Sequence, residues 1–320
     1  MSFKNEHAEI IDWLLDGDPS VVYQTNRDLL GKSEKSLAAD RKKIAGSGWG
    51  KKLLDFQDDD GKWSGGFYTP KWTSTTYTLC LLRRLGLEPK HPKAIKACKL
   101  LAENGINEGG GIGYGWPTYP RGETCVTGMT LAFFAYFQLK EKRLAEIVKY
   151  LLKEQMPDGG WNCRRHRDNT SHSSFHTTIN VLEGLLQYRT SIKDDNDIQA
   201  AQEKAHEFLL QHRLYKSHRT GEIVHNTMTR FSFPPRWKYD IMRVLDYFQM
   251  ANVPYDERMN DALTIVTNKM KDGKWPLQQK HSGTVFFDLE QTGKPSRINT
   301  LRALRILKKY EINMPLKILA

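Results

Sequence analysis

The strongest constraint on the fold is a tryptophan-containing turn that recurs along the chain. Gln57-x-x-x-Gly61-x-Trp63 and Gln155-x-x-x-Gly159-x-Trp161 have the same spacing, and Gly273-x-Trp275 is a partial copy. Glycine supplies a positive φ angle, so each copy indicates a break between two helices. The copies fall in units of roughly 45 to 60 residues, a length typical of helical repeats.

Each unit has the pattern helix, turn, loop, helix. The first helix is rich in Lys and Glu, whereas the second is apolar over most of its circumference, as in the segment 131–137. One helix is therefore predicted to be exposed and the other buried. Almost no stretch alternates as a strand would, so the predicted class is all-α. A closed ring of about five to six hairpins, an α/α toroid, is favoured over an open solenoid because a ring leaves no end to cap.

We predict a single domain over residues 1–320. Residues 1–48 are expected to form short N-terminal helices, and residues 49–320 to form five helical-hairpin repeats.

The chain is strongly basic, with a formal net charge of +11. Nucleic acid, a membrane surface or an anionic small molecule would each fit this charge. The basic residues cluster in loops without a recognised nucleic-acid-binding module, so no nucleic-acid partner is expected. No run of 18 apolar residues predicts a transmembrane segment. Acidic residues near the N-terminus argue against a secretory signal and predict a cytoplasmic protein. Four cysteines make no disulfide framework.

The tryptophan turns resemble the Gln-Trp (QW) repeat of squalene and hopene cyclases. Over about residues 49 to 310 the chain resembles the terpenoid-cyclase and protein-prenyltransferase superfamily, and within it the small bacterial squalene-cyclase-like and prenyltransferase-like proteins. The resemblance implies an α/α toroid with a ligand in its central cavity. It does not imply a reaction, because one fold hosts many.

An acidic run, Asp58-Asp59-Asp60, invites comparison with the Asp-x-Asp-Asp motif by which the cyclases protonate an alkene. That motif lies in an inner cavity, whereas this run lies within a tryptophan turn. We therefore expect a solvated turn and no squalene-cyclase mechanism.

A set of basic residues lies in the loops that lead into the second helices of the third and fourth units. In a closed ring these helices begin at one rim, where their positive dipole ends converge. Arginine there could bind a diphosphate or carboxylate with two parallel hydrogen bonds. The alternative is that these side chains only solvate the loops. The predicted anion-binding residues are Arg164, Arg165, His166, Arg219 and Arg236.

A possible zinc site follows from the resemblance. Protein prenyltransferases bind zinc through Asp-x-Cys at the start of one inner helix and a His in the next. Glu123, Cys125 and His176 occupy similar places in consecutive units, with Glu in place of Asp. The alternative is a buried thiol and a hydrogen-bonded core histidine.

Three further residues are candidates for proton transfer. Asp288 and Glu290 lie in a loop expected to overhang the same rim, where they could act as acid and base. Tyr239 is level with Cys125 and His176 and could donate a proton or line the cavity. The alternative for the carboxylates is that they are ordinary loop charges.

The first functional hypothesis is an enzyme whose central pocket takes an apolar substrate with an anionic, diphosphate-like group, for prenyl transfer or cyclisation. The alternatives are a lyase or hydrolase acting on acidic sugars, and a non-catalytic ligand-binding toroid. A deep aromatic cavity favours the isoprenoid, whereas an open groove with exposed Arg and Tyr favours the sugar.

Overall fold

The computed structural model describes residues 7–114, 121–140 and 142–312. The two ends of the domain predicted over residues 1–320 lie outside these ranges. Within them the regular structure is thirteen α-helices and two short 3-10 helices, with isolated bridges and no strand. The prediction of an all-α class is confirmed. None of the described helices combines the length and the apolar composition that a membrane crossing requires.

The helices form two concentric layers, as expected for an α/α toroid. The outer layer consists of α1 (Ala8–Leu15), α3 (Glu34–Gly46), α4 (Gly48–Asp55), α6 (Pro92–Gly105), α8 (Leu144–Lys153), α10 (Asn196–Gln211) and α12 (Asn260–Asn268). The inner layer consists of α2 (Pro19–Asp28), α5 (Thr75–Leu85), α7 (Thr124–Tyr136), α9 (Phe175–Ser191), α11 (Ile241–Met250) and α13 (Arg297–Lys309).

The inner helices are buried around most of their circumference. In α7 every residue from Thr124 to Ala135 is buried, as an apolar helix enclosed by neighbours should be. Helices α7 and α9 approach most closely at two glycines. A Cβ on Gly128 would lie 2.7 Å from the Asn180 carbonyl oxygen, and one on Gly184 would lie 2.4 Å from the Gly128 carbonyl oxygen. Only glycine permits this contact.

The N-terminal helices, predicted from the sequence only as short helices before five repeats, complete the ring. Helix α2 lies between α5 and α13: Gln24 Nε2 donates to the Arg84 carbonyl over 3.2 Å, and Arg305 pairs with Asp28 over 2.9 Å. Helices α1 and α2 are thus a sixth hairpin. The repeat pattern missed it because Asp18-Pro19 joins these helices in place of a tryptophan turn, with the Asp18 carboxylate accepting from Ser20 N–H.

The three tryptophans of the turns are fully buried and make the same bond. Each indole N–H donates over 2.7 Å to a carbonyl near the end of the preceding outer helix, in the pairs Trp63–Leu53, Trp161–Leu151 and Trp275–Val266. The carbonyls at a helix C-terminus have no partner within the helix. The tryptophan supplies one, and so fixes the turn against its own outer helix.

The glutamines of the turns bond to the next unit. Gln155 Nε2 donates to the carbonyl of Gly159 in its own turn and to that of Ala201 in α10, both over 2.7 Å. Gln57 does the same to Gly61 and to Lys93 in α6. Each complete turn therefore connects consecutive outer helices.

The tryptophan turns predict a specific loss of stability. We expect Trp161→Phe to lower the free energy of unfolding by about 2–4 kcal/mol, because it leaves the Leu151 carbonyl unpaired and opens a small void. Trp49→Phe, at a half-buried tryptophan outside the turns, is the matched control and should cost less than about 1 kcal/mol. Urea unfolding measures both. Equal losses would contradict a special role for the turn.

Candidate functional site

A cavity of about 740 Å³ lies where the inner helices end. All six contribute residues from their C-terminal halves, including Asp28, Arg84, Tyr136, Thr190, Met250 and Lys309. The inner helices therefore run in the same direction. These residues lie at the opposite end of the inner helices from the rim that the sequence predicted as the anion site.

The cavity wall carries many more positive than negative charges. The basic residues are Arg27, Arg83, Arg84, Arg243, Arg302, Arg305, Lys308 and Lys309, and the acidic ones are Asp28, Glu183 and Asp246. The excess is five positive charges. The C-terminal end of each inner helix adds about half a negative charge, so the six ends together offset only part of the excess.

Three arginines converge on Glu183, a side chain 11% exposed. Arg84 contacts Oε2 over 2.5 Å, Arg83 contacts the same oxygen over 3.3 Å, and Arg243 Nε donates to Oε1 over 2.8 Å. Arg243 also donates to the side chain of Asn180 over 2.8 Å. This cluster joins helices α5, α9 and α11.

Charge pairing fixes the protonation of the cluster. Burial alone would raise the pKa of Glu183, but Arg243 and Arg84 outweigh it and hold this pKa far below its usual range. Burial lowers the pKa of Arg84 to about 10, with Glu183 opposing the shift. At neutral pH the carboxylate is ionised and the guanidinium is charged, so Glu183 is not a proton donor.

A second cluster closes the ring on the other side of the cavity. Arg305 pairs with Asp28 over 2.9 Å and with Asp246 over 3.4 Å, and Arg302 pairs with Asp246 over 3.3 Å. Burial opposes ionisation of Asp28, but Arg305 and Arg27 hold its pKa below the usual value. Helices α2, α11 and α13 meet at these pairs.

A second cavity, about 40 Å³, has a largely apolar wall that includes Trp72, Leu81 and Phe286. Its one arginine, Arg236, lies over the Trp72 ring at 5.3 Å from the ring centre, and burial lowers the pKa of this arginine to about 10. Phe233 belongs to the walls of both cavities and so lies between the large cavity and the smaller one.

Four of the five residues predicted to bind an anion lie outside both cavities. Arg164 pairs with Asp168, Arg165 reaches the Lys153 carbonyl, and His166 contacts Glu154. Arg219 is exposed on its loop. Anion binding by these loops stays a prediction, whereas Arg236 does line the smaller cavity.

Of the three residues predicted for proton transfer, Asp288 and Glu290 both lie in the wall of the smaller cavity, whereas Tyr239 does not. Tyr239 is buried, its hydroxyl donates to the Leu214 carbonyl, and it lines neither of the two cavities. Asp288 pairs with Lys280 on the surface. Glu290 accepts from the Ser296 hydroxyl and, over 2.6 Å, from Arg297 N–H at the start of α13. Burial raises the pKa of Glu290, but its bonds indicate a helix-capping role.

Two of the three predicted metal ligands do lie together. The Cys125 thiol contacts Glu123 Oε1 over 3.3 Å, and Cys163 completes a group whose ligand atoms all lie within 4.8 Å. A hydrogen bond from the Cys125 thiol lowers the pKa of Cys163 and raises that of Cys125. One carboxylate and two thiols are a donor set suited to a thiophilic cation.

His176 is not part of this group, which corrects the predicted ligand set. Its Nδ1 accepts from Tyr239 N–H over 2.9 Å, and its ring packs edge-on against Trp237. Burial lowers the pKa of His176 to about 4. The imidazole faces the loop of the following unit and is held there, as in the alternative of a hydrogen-bonded core histidine.

The charged clusters of the large cavity were missed at the sequence level. Their signal is a charged residue in a helix that is otherwise apolar, as with Arg243 in IMRVLDYF and Arg302 and Arg305 in NTLRALRIL. Buried charges are rare unless paired, so arginines in several such helices predict a shared polar centre.

Comparison with known proteins supports the fold. No family model matches the chain, and no curated protein matches it. Among solved structures, type II terpene cyclase MstE from Scytonema (apo) is similar, with 14% identity, 86% of this chain and 73% of that chain covered, and a TM-score of 0.50. At this identity the similarity shows a terpenoid-cyclase-like fold, and the predicted α/α toroid is confirmed.

Two further similarities are weaker. A protein from Actinoplanes shares 15% identity, with 92% of this chain and 90% of that chain covered and a TM-score of 0.44. A variant of MstE from Scytonema in complex with merosterolic acid A (product) shares 12% identity, with 85% and 96% covered and a TM-score of 0.32.

The Glu183 cluster predicts a pH-dependent contribution to stability. Because the folded-state pKa of Glu183 lies below its ordinary value of 4.5, its pairing stabilises the fold fully above that pH and is lost as the pH falls further. We expect Glu183→Gln to cost about 3–5 kcal/mol at neutral pH, since the buried Arg243 and the partly buried Arg83 and Arg84 lose a charged partner. The loss should shrink below about pH 4.5.

Urea unfolding at neutral pH and near pH 3.5 tests this expectation. Asp59→Asn, at an exposed carboxylate of the first turn, is the control and should change little at either pH. A loss at Glu183→Gln that is independent of pH would contradict the assignment of an ionised, arginine-paired carboxylate.

Proposed function

We propose that the protein binds a small molecule with a diphosphate-like anionic group in the large central cavity. The observation that carries the proposal is the excess of five positive charges in the wall of one cavity. Like charges gathered at low dielectric repel one another, and a bound dianion would relieve that repulsion. Arginine is suited to this task because its planar guanidinium binds phosphate oxygens in pairs.

The apolar part of the ligand would lie against the uncharged residues of the same wall. Leu186, Phe233, Met250 and Ile298 are among them. A volume of about 740 Å³ is in the range of small-molecule sites. These features support a ligand with one anionic end and one apolar end, as in a prenyl diphosphate.

The ionised state of Glu183 and Asp28 bears on the reaction. Because both carboxylates have lowered pKa values, neither is poised to protonate an alkene. Arginines around a diphosphate instead favour its departure: the carbon–oxygen bond breaks and the electron pair leaves with the diphosphate, whose charge they stabilise. Prenyl transfer or cyclisation begun in this way is the reaction we propose.

The acidic-sugar alternative has less support, because the tyrosines of the cavity are already engaged. Tyr136 donates to the Leu87 carbonyl over 2.7 Å and accepts from Arg41. Tyr247 bonds to Gln202 over 2.9 Å. Burial raises the pKa of both phenols, so neither is prepared to remove a proton from a sugar ring.

The proposal predicts that inorganic pyrophosphate and geranyl diphosphate stabilise the protein. At ten times its Kd a ligand should add about 1.4 kcal/mol to the free energy of unfolding, and the melting temperature should rise by a few degrees. The double variant Arg83→Gln/Arg84→Gln should lose most of this rise, because two phosphate-binding side chains of the cavity are gone.

The matched control is Arg164→Gln/Arg165→Gln, which removes the same charge from the loops and should respond as the original protein does. Loss of the rise in the control, with the cavity variant unaffected, would place the anion at the loops and contradict the proposal. Release of inorganic pyrophosphate from geranyl diphosphate distinguishes the proposed enzyme from a non-catalytic toroid.

Phe233 predicts a dependence on the length of the apolar group. Because this ring lies in the walls of both cavities, Phe233→Ala should join them and lengthen the apolar space. Stabilisation by farnesyl diphosphate should increase relative to that by geranyl diphosphate, while the response to pyrophosphate stays the same. Phe286→Ala, in the wall of the smaller cavity alone, is the control. An unchanged ratio between the two prenyl diphosphates would show that the apolar group lies elsewhere.

A further inference from the structure

Two thiols and one carboxylate form a compact group at the end of the ring opposite the large cavity. The ligand atoms of Glu123, Cys125 and Cys163 lie within 4.8 Å of one another, and Cys125 Sγ is 3.3 Å from Glu123 Oε1. None of the three lines either cavity described above. The group is therefore spatially separate from the large cavity.

The group is held by two consecutive units of the ring. Glu123 directly precedes α7 and Cys125 lies in its first turn. Cys163 lies in the loop before α9, where its N–H donates to the Thr177 hydroxyl over 3.3 Å. The neighbouring Asn162 side chain donates to the His172 carbonyl over 2.9 Å. Because the loop is bonded to α9 and to itself, the second thiol is held beside the first.

We propose that Glu123, Cys125 and Cys163 bind a thiophilic divalent cation, zinc being the one tested. Zinc takes cysteine sulfur at about 2.3 Å and carboxylate oxygen at about 2.0–2.2 Å in tetrahedral geometry. These bond lengths require about 3.5 Å between sulfur and oxygen and about 3.8 Å between two sulfurs. The observed separation of 3.3 Å for the first pair is within a few tenths of an ångström of that value.

The surroundings suit an exchangeable ion. Cys125 is 6% exposed, whereas Glu123 and Cys163 are half-buried, so the group reaches the surface on one side. Two thiolates and a carboxylate carry three negative charges. With a divalent cation bound, the group keeps one net negative charge. The positive charge of Arg167 acts on Cys163 and offsets this remaining negative charge. Three protein ligands leave a fourth position for water or a substrate atom.

This site differs from the one predicted from the sequence in its third ligand. The imidazole of His176 is bonded to Tyr239 N–H, and Cys163 takes the place expected for it. A site with two sulfurs selects softer ions than a site with one, since thiolate favours zinc over magnesium or calcium.

The experiment uses the full chain, reduced and freed of metal with a chelator. Zinc binding is measured by equilibrium dialysis with elemental analysis, and coordination by the absorption of the Co²⁺-substituted protein. We expect one ion per chain and thiolate-to-cobalt charge transfer from two sulfurs. Cys163→Ser should weaken zinc binding at least roughly tenfold and halve the charge-transfer intensity. Glu123→Gln should weaken binding while leaving that intensity unchanged.

Cys80→Ser is the matched control, because it removes one of the four thiols outside the group and should bind zinc as the original protein does. Circular dichroism confirms that each variant is folded. Zinc binding that is unaffected by both Cys163→Ser and Glu123→Gln would overturn the proposal. So would a reduced protein that binds no zinc and instead forms a Cys125–Cys163 disulfide on exposure to air.

Discussion

The common direction of the six inner helices is the constraint on which the rest of the structure depends. Parallel helices bring all their C-terminal carbonyl ends to one mouth of the ring, where their fractional negative charges would accumulate. Arg83 and Arg84 in the last turn of α5 offset part of those charges, and Glu183 then holds these arginines in place. Polar contacts at this mouth join neighbouring inner helices and fix the axial position of each helix relative to the next. Apolar packing alone would leave that position undetermined.

Much of the fold could be predicted from the sequence because the turns are built from residues with few alternatives. Glycine and tryptophan at fixed spacing identify the break and the buried anchor, and the indole bonds of Trp63 and Trp161 explain why tryptophan is required. Helices α1 and α2 do not show the pattern because only three residues, 16–18, connect them and leave no room for such a turn. Their place in the ring depends on tertiary contacts of Gln24 and Asp28, which no local pattern encodes.

The candidate sites were harder to predict, for a physical reason. Loop arginines such as Arg164 are prominent in a sequence because they cluster, yet exposed clusters are largely satisfied by nearby acids and water. The arginines of the cavity are dispersed over helices far apart in the chain and converge only when the ring closes. For the thiol group, the relation between Glu123 and Cys125 is local and was predicted, whereas Cys163 depends on how the loop before α9 folds back.

The contact between Arg305 and Asp28 joins residues 277 positions apart. It connects the first inner helix to the last and so closes the ring. Closing a flexible loop of that length costs about 5 kcal/mol in chain entropy, and contacts so distant in sequence slow folding. Both residues also belong to the cavity wall, so the wall of the large cavity is complete only when this contact has formed. Any molecule that binds across the contact between α2 and α13 therefore stabilises the closed ring by mass action. Ligand binding in the cavity and folding of the whole ring are then thermodynamically coupled.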